Sequence, residues 1–164
     1  MPSYDTIQDT ESVPAPDLSR LSVSELEQRA QGDALDSDAR YALGRKYHAQ
    51  GQYDRAIEVL GHGDYPELRA WIGIAYVRSG NRQDAMKALQ EILSKPDGQE
   101  HPALVGMFYA VLGDRDRAFE WLEKGALQRS EDALSACVDP LVVSQLSSDS
   151  RYAALVRRFG LLEN

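Results

Sequence analysis

The chain has little of what metal enzymes, disulfide scaffolds and membrane proteins depend on. Cys137 is its one cysteine, so no internal disulfide can form, which suits a reducing compartment. Its three histidines, His48, His62 and His101, are far apart. None has another His, Cys or carboxylate at metal-ligand spacing on a common face, and no metal is expected. The longest run of apolar or small residues, Ala103 to Gly113, has 11 members, too short to cross a bilayer. The leading stretch MPSYDTIQDTESVPAPD has neither the basic start nor the apolar core of a secretory signal. A cytoplasmic protein without membrane insertion is the default expectation.

Basic charge is also scarce. The formal net charge is −8, and it is unevenly spread. Residues 1 to 38 carry nine acidic side chains against Arg20 and Arg29, while residues 39 to 164 are nearly neutral. No basic face of the size that a phosphate backbone requires is apparent, so no nucleic-acid partner is expected. Residues 1 to about 20 are polar, acidic and interrupted by Pro14 and Pro16, which predicts an extended or disordered leader. Such a leader is either a solvated tail or a segment that folds back over Arg45, Lys46 and Arg78 and competes with a partner.

What the chain does have is self-similarity. The stretches YALGRKYHAQGQYDRAIEVL, WIGIAYVRSGNRQDAMKALQEIL and LVGMFYAVLGDRDRAFEWLEKGA align without gaps over their matching positions. Gly44, Gly73 and Gly106 are each followed three residues later by Tyr47, Tyr76 and Tyr109. Gly51, Gly80 and Gly113 come next, then Ala56, Ala85 and Ala118, and Leu60, Leu89 and Leu122 close each copy. A recurrent pattern of this kind marks a repeat architecture.

The offsets fit two antiparallel helices. A mid-helix glycine costs about 1 kcal/mol relative to alanine, so three in one register imply close helix packing, with the alanine of the second helix opposite. Gly51, Gly80 and Gly113 sit where a first helix ends in a left-handed residue. Upstream, Ser22 and Glu25 form a capping-box pattern for a helix that ends near Gln31-Gly32. Downstream, Asp139-Pro140 reads as a helix start, and SSDSRYAALVRRFG as a serine-capped amphipathic helix stopped by Gly160.

Over residues 37 to about 128 this pattern resembles the tetratricopeptide repeat family. The resemblance implies an all-α solenoid of helical hairpins in a right-handed superhelix, with units at about 37–63, 66–96 and 99–128. With an extra N-terminal helix and a cap at about 139–160, the helical domain spans 21–164. The spacing from Gly44 to Gly73 is 29 residues and from Gly73 to Gly106 is 33. Unit one should therefore have a second helix cut short at Gly61-His62-Gly63. The N-terminal side also resembles Sel1-like repeats, and the C-terminal part is similar to repeat tails of bacterial signalling proteins.

No catalytic chemistry is legible. Asp114 and Asp116 lack the glycine and closing glutamate of a calcium loop, and Asp114 reads as a helix cap. Cys137 reads as a half-buried small apolar residue. No nucleophile or phosphate-binding pattern appears, and neither catalytic residues nor cofactors are expected.

The resemblance implies instead a concave groove lined by the first helix of each unit. Carried over, the lining is Tyr41, Arg45, His48 and Ala49 in unit one, and Ala70, Ile74, Val77 and Arg78 in unit two. In unit three it is Ala103, Met107, Ala110 and Val111. If exposed, this set is an apolar patch flanked by two arginines, suited to an amphipathic helix or an extended apolar segment of a protein partner. The carboxylate-clamp positions hold Tyr41, Arg45, Trp71, Glu100 and Leu104, so an Hsp70 or Hsp90 co-chaperone role is disfavoured. The leading expectation is a non-enzymatic adaptor or scaffold. Two alternatives stay open: a regulatory module acting on a separate kinase, cyclase or transcription factor, and a structural subunit that self-assembles through Trp121 and the C-terminal helix.

Overall fold

The structure, a computed structural model, describes residues 17–32, 36–61, 65–96, 100–128 and 131–159. Most of the acidic leader, His62, Gly63 and Gly160 lie outside the described residues. Within them the chain is all-α and contains no strand. The elements are α1 (Val23–Gly32), α2 (Ser37–Ala49), α3 (Tyr53–Leu60), α4 (Pro66–Arg78) and α5 (Arg82–Ser94). They continue with α6 (Pro102–Leu112), α7 (Arg115–Leu127), α8 (Glu131–Val138), α9 (Pro140–Leu146) and α10 (Ser150–Arg158). A 3-10 turn, Leu18–Arg20, precedes α1, with Asp17 accepting a hydrogen bond from the Ser19 backbone N–H. The end of the leader is thus a capped turn rather than extended chain. It is held on α2 by Lys46, whose Nζ donates to the Ser19 carbonyl.

Three hairpins, α2–α3, α4–α5 and α6–α7, stack side by side through α3 on α4 and through α4 on α6. Their turns follow from Gly51, Gly80 and Gly113, which hold φ of 73°, 85° and 84°, a region that L side chains enter at a cost. The polar residue after each turn then starts the next helix. Asn81 accepts from the Asp84 N–H and Asp114 from the Arg117 N–H, satisfying donors that a helix start leaves free. The α3 helix has 8 residues where α5 and α7 have 13, so the second helix of the first hairpin is short, as the glycine spacing predicts.

The mid-helix glycines mark tight contacts, and the nearest partner is a larger side chain; the expected alanine shares the contact only at Gly106, where the Ala118 carbonyl would lie 3.1 Å from an added Cβ. A Cβ on Gly44 would lie 2.5 Å from the Leu60 side chain, and one on Gly106 would lie 2.7 Å from Leu122. At Gly73 the intruder comes from the next hairpin: Phe108 of α6 would be 2.2 Å away, with the Ala88 methyl at 3.3 Å. Gly44 and Gly106 therefore close a hairpin, whereas Gly73 locks one hairpin to the next.

At the N-terminal end Ser22 and Glu25 make the expected reciprocal cap, with the Ser22 N–H donating to Glu25 at 2.8 Å. The α1 helix is then tied to α2 and α3 through Glu27, which accepts from the Tyr47 hydroxyl and from Arg55 Nη2 at 2.7 Å. Burial and that carboxylate push the Tyr47 phenol up to about 12. At the other end α10 is capped by Asp149, which accepts from the Arg151 N–H at 3.0 Å, and not by a serine. Arg151 also bridges to Asp116 of α7 at 2.8 Å and covers the Phe119 ring, pinning α10 to the third hairpin.

Candidate functional site

The first helices α2, α4 and α6 would line a groove. The structure places the expected groove residues in two different environments. Ala70, Ile74, Ala103, Met107 and Ala110 are at most 3% exposed and belong to the core. His48 is buried as well. As an exposed apolar patch this part of the expected surface is corrected. The reason is packing: α6 has nine consecutive buried residues, Pro102 through Ala110, so it is enclosed on all sides. Neighbouring α4 and α7 take two faces, while α8 and α9 take the one the groove would have used. Ala133, Ala136, Cys137, Val142 and Leu146 are the residues buried on those two helices. Cys137 is thus fully rather than half buried, and desolvation pushes its thiol up to about 11.

The run itself carried the signal for this outcome. A helix apolar on one stripe leaves a polar face to water, whereas ALVGMFYAVL is apolar all round, and such a helix is buried.

The other expected residues remain accessible, on α2 and α4 and, for Val111, near the C-terminal end of α6. Arg45, Ala49 and Arg78 are exposed, and Tyr41, Val77 and Val111 are half-buried. The C-terminal segment closes on them from the side. The corner between α8 and α9 reaches back to α2, where Arg45 Nη2 donates to Asp139 Oδ2 at 3.2 Å. The same carboxylate caps α9, its Oδ1 accepting from the Leu141 N–H at 2.9 Å. Between the corner and the hairpins lies an open cleft of about 290 Å³, lined by Tyr41, Arg45, Trp71, Met107, Val138 and Asp139 among others.

Sequence reasoning missed the aromatic ladder beside this cleft. The Arg45 guanidinium carbon lies 4.7 Å from the centre of the Trp71 ring and 5.9 Å from that of Tyr41. His48 sits edge-on between Trp71 and Tyr53, 5.2 Å from each. Arg78 lies 6.0 Å over Tyr53, with its Nε donating to the Tyr53 hydroxyl at 3.3 Å. Desolvation first, and the positive charge of Arg78 next, hold the His48 imidazole down at about 4. It is therefore neutral at ordinary pH. His48 Nε2 and Trp71 Nε1 are buried with no hydrogen-bond partner. The sequence supplies Tyr41, His48, Tyr53 and Trp71 on three helices, but nothing in the spacing shows that the rings meet.

Asp114 acts as a cap and Asp116 as an ion-pair partner of Arg151. Among the described residues no group of three or more His, Cys, Asp or Glu is placed to hold a metal ion. Among them, too, no helix is long and apolar enough to cross a membrane.

Comparison with known proteins agrees with this architecture. Residues 71–97, most of α4 and all of α5 with its exit, match the family model described as tetratricopeptide repeat. The chain is also similar to the RNA polymerase-associated protein CTR9 of Caenorhabditis elegans, at 25% identity over 122 residues. That similarity covers 65% of this chain and 11% of the nematode protein. No solved structure gives a significant match. The matched segment is a tetratricopeptide repeat on the second hairpin, and the described residues form an all-α array of stacked helical hairpins.

Proposed function

We propose that this chain is a non-enzymatic adaptor that holds a polypeptide segment at the open end of its groove, on α2 and α4 beside the α8–α9 corner. One observation carries the reading. The cleft joins apolar surface, the half-exposed Val138 with the half-buried Tyr41, to a preoriented cation, Arg45 on Trp71. A few convergent polar groups in a mainly apolar cleft form a recognition site, and Arg with Trp and Tyr is the composition of binding hot spots. The tetratricopeptide match supports a polypeptide as the ligand. The name of the nematode relative supports a place among proteins that associate with larger assemblies.

The test uses capture of partners from the native cell, compared between the natural chain and Arg45→Glu and Val77→Asp variants. Arg45 is exposed and Val77 half-buried, so helicity and melting of each variant are measured beside capture, and only a folded variant counts. The adaptor reading expects specific partners to be lost from both. Partners retained by both variants would contradict it. Ile74→Asp and Met107→Asp are unsuitable, because an unpaired charge in the core unfolds the chain.

A second reading, self-assembly, is favoured by Leu127 and Leu134, which are 75% and 37% exposed near the α7–α8 junction. Trp121 is less available, being half-buried under Lys124. Light scattering across a concentration series separates the two readings: a constant monomer mass excludes self-assembly.

A further inference from the structure

We propose that the open end of the groove recognises an acidic segment of a partner polypeptide. Its carboxylates sit on the guanidinium groups of Arg45 and Arg78, and an apolar side chain packs in the cleft against Val138 and Tyr41. The inference rests on the adaptor reading and gives its ligand class.

Three observations lead there. First, both guanidiniums are held by aromatic side chains, Arg45 on the Trp71 ring and Arg78 through its Nε donating to the Tyr53 hydroxyl. Stacking fixes the plane of a guanidinium while leaving its N–H edge free to grip a carboxylate with two parallel bonds. The side chains are already ordered, so binding loses less conformational entropy.

Second, the local charge is unbalanced. Asp139 is the carboxylate that Arg45 meets, through one nitrogen at 3.2 Å. Arg78 has a phenol hydroxyl and no carboxylate partner among the described residues. His48 between them stays neutral because burial and these arginines oppose its protonation, so the surplus is the fixed charge of two arginines against one aspartate. An incoming carboxylate meets attraction at both ends of the ladder.

Third, the apolar part of the site is built and unfilled by the chain itself. Val138 is 51% exposed on the cleft wall. The corner that forms this wall is anchored by Ala136, Cys137, Val142 and Leu146, all buried. Removing those side chains from the core is too costly for a partner to displace the corner, so the partner docks against it. Asp139 then becomes a template: its carboxylate, next in the chain to exposed Val138, already pairs with Arg45.

A short fluorescein-labelled peptide repeating Glu-Leu-Phe-Glu-Gly tests this by anisotropy on the full chain, beside counterparts with Gln and with Lys in place of Glu. The Glu peptide is expected to bind best, to weaken as salt rises, and to lose roughly five-fold in affinity with Arg45→Gln and again with Arg78→Gln. Arg45→Lys keeps the charge and loses the fork, and should recover only part of the loss. Equal binding of the Glu and Gln peptides overturns the proposal, as does binding indifferent to both arginine variants. If neutralising Asp5, Asp9 and Glu11 raises affinity more than any other change, the occupant is the chain's own leader and the proposal fails. It also fails if the arginine variants dissolve a dimer seen by light scattering, since a second copy would then cover the site. Should those variants lose native partners while the Gln peptide binds as well as the Glu peptide, the adaptor reading stands and the acidic class falls.

Discussion

Arg45 and Asp139, ninety-four positions apart in sequence, meet at 3.2 Å across the mouth of the groove. The contact ties the first hairpin to the C-terminal corner, and the same aspartate starts α9. One carboxylate therefore does two jobs that substitution can separate. Asp139→Asn keeps a good N-cap and removes the charge, and should cost no more than about 1 kcal/mol for a pair with a half-exposed arginine. Asp139→Ala removes both and should cost about 1 kcal/mol more, the usual worth of a cap. Urea unfolding of the two variants measures the difference.

Gly73 and Phe108 supply a second test, of the junction between hairpins. With the ring 2.2 Å from where an alanine methyl would lie, Gly73→Ala forces α4 and α6 apart and should destabilise by about 1–3 kcal/mol. Combining it with Phe108→Leu should cost less than the sum of the single changes, because the smaller side chain makes room. Strict additivity in a double-mutant cycle would show that the two do not collide.

Gly113→Ala isolates backbone strain from crowding. Nothing lies within 4 Å of the added methyl, and φ is 84°. The expected loss is about 1 kcal/mol, from the left-handed backbone alone. Replacement by Asn, which tolerates that region better, should recover part of it. Equal losses for Ala and Asn would contradict the assignment.

His48 makes stability depend on pH. Its folded pKa is held near 4, below the ordinary 6.5, so as pH falls through 6.5 the unfolded chain takes up the proton first. The stability this neutral histidine supports is complete above about 6.5 and is lost progressively down to about 4. His48→Phe keeps an aromatic ring between Trp71 and Tyr53 without titrating. Its stability, followed by urea unfolding between about pH 7 and pH 5, should fall less than that of the natural chain. Parallel losses in the two proteins would exclude His48 as the source.

The fold was legible because small residues report on backbones. Glycines at matched offsets have few reasons to recur other than turns and close approach, and the structure uses them for both. The capping box at Ser22 and Glu25, the cap at Asp114 and the start of α9 were equally local, and local chemistry survives folding. The nearest partner of each mid-helix glycine was not legible: Leu60 and Leu122 stand at matched offsets that do not say they touch Gly44 and Gly106, and Phe108 reaches Gly73 from another hairpin. The groove was misread at Met107 and Ala110 for a related reason. A family pattern assigns first-helix positions to a free concave face, whereas here α8 and α9 fold back over α6. Only the all-round apolarity of α6 reported that cover. Arg45 and Arg78 could be placed at the groove from their offsets, but their seats on Trp71 and Tyr53 depend on contacts between hairpins that no single segment encodes.

The C-terminal corner covers α6 and leaves the α2–α4 end open, and binding at that end depends on both. Oxidation by dilute peroxide, read at each methionine by peptide mass spectrometry, measures the cover in the natural chain. Met107 is 3% exposed and Met86 is partly exposed, and thioether oxidation follows access. Met107 should oxidise far more slowly than Met86; oxidation of both at the same rate would show that the groove stands open along its length and contradict the account.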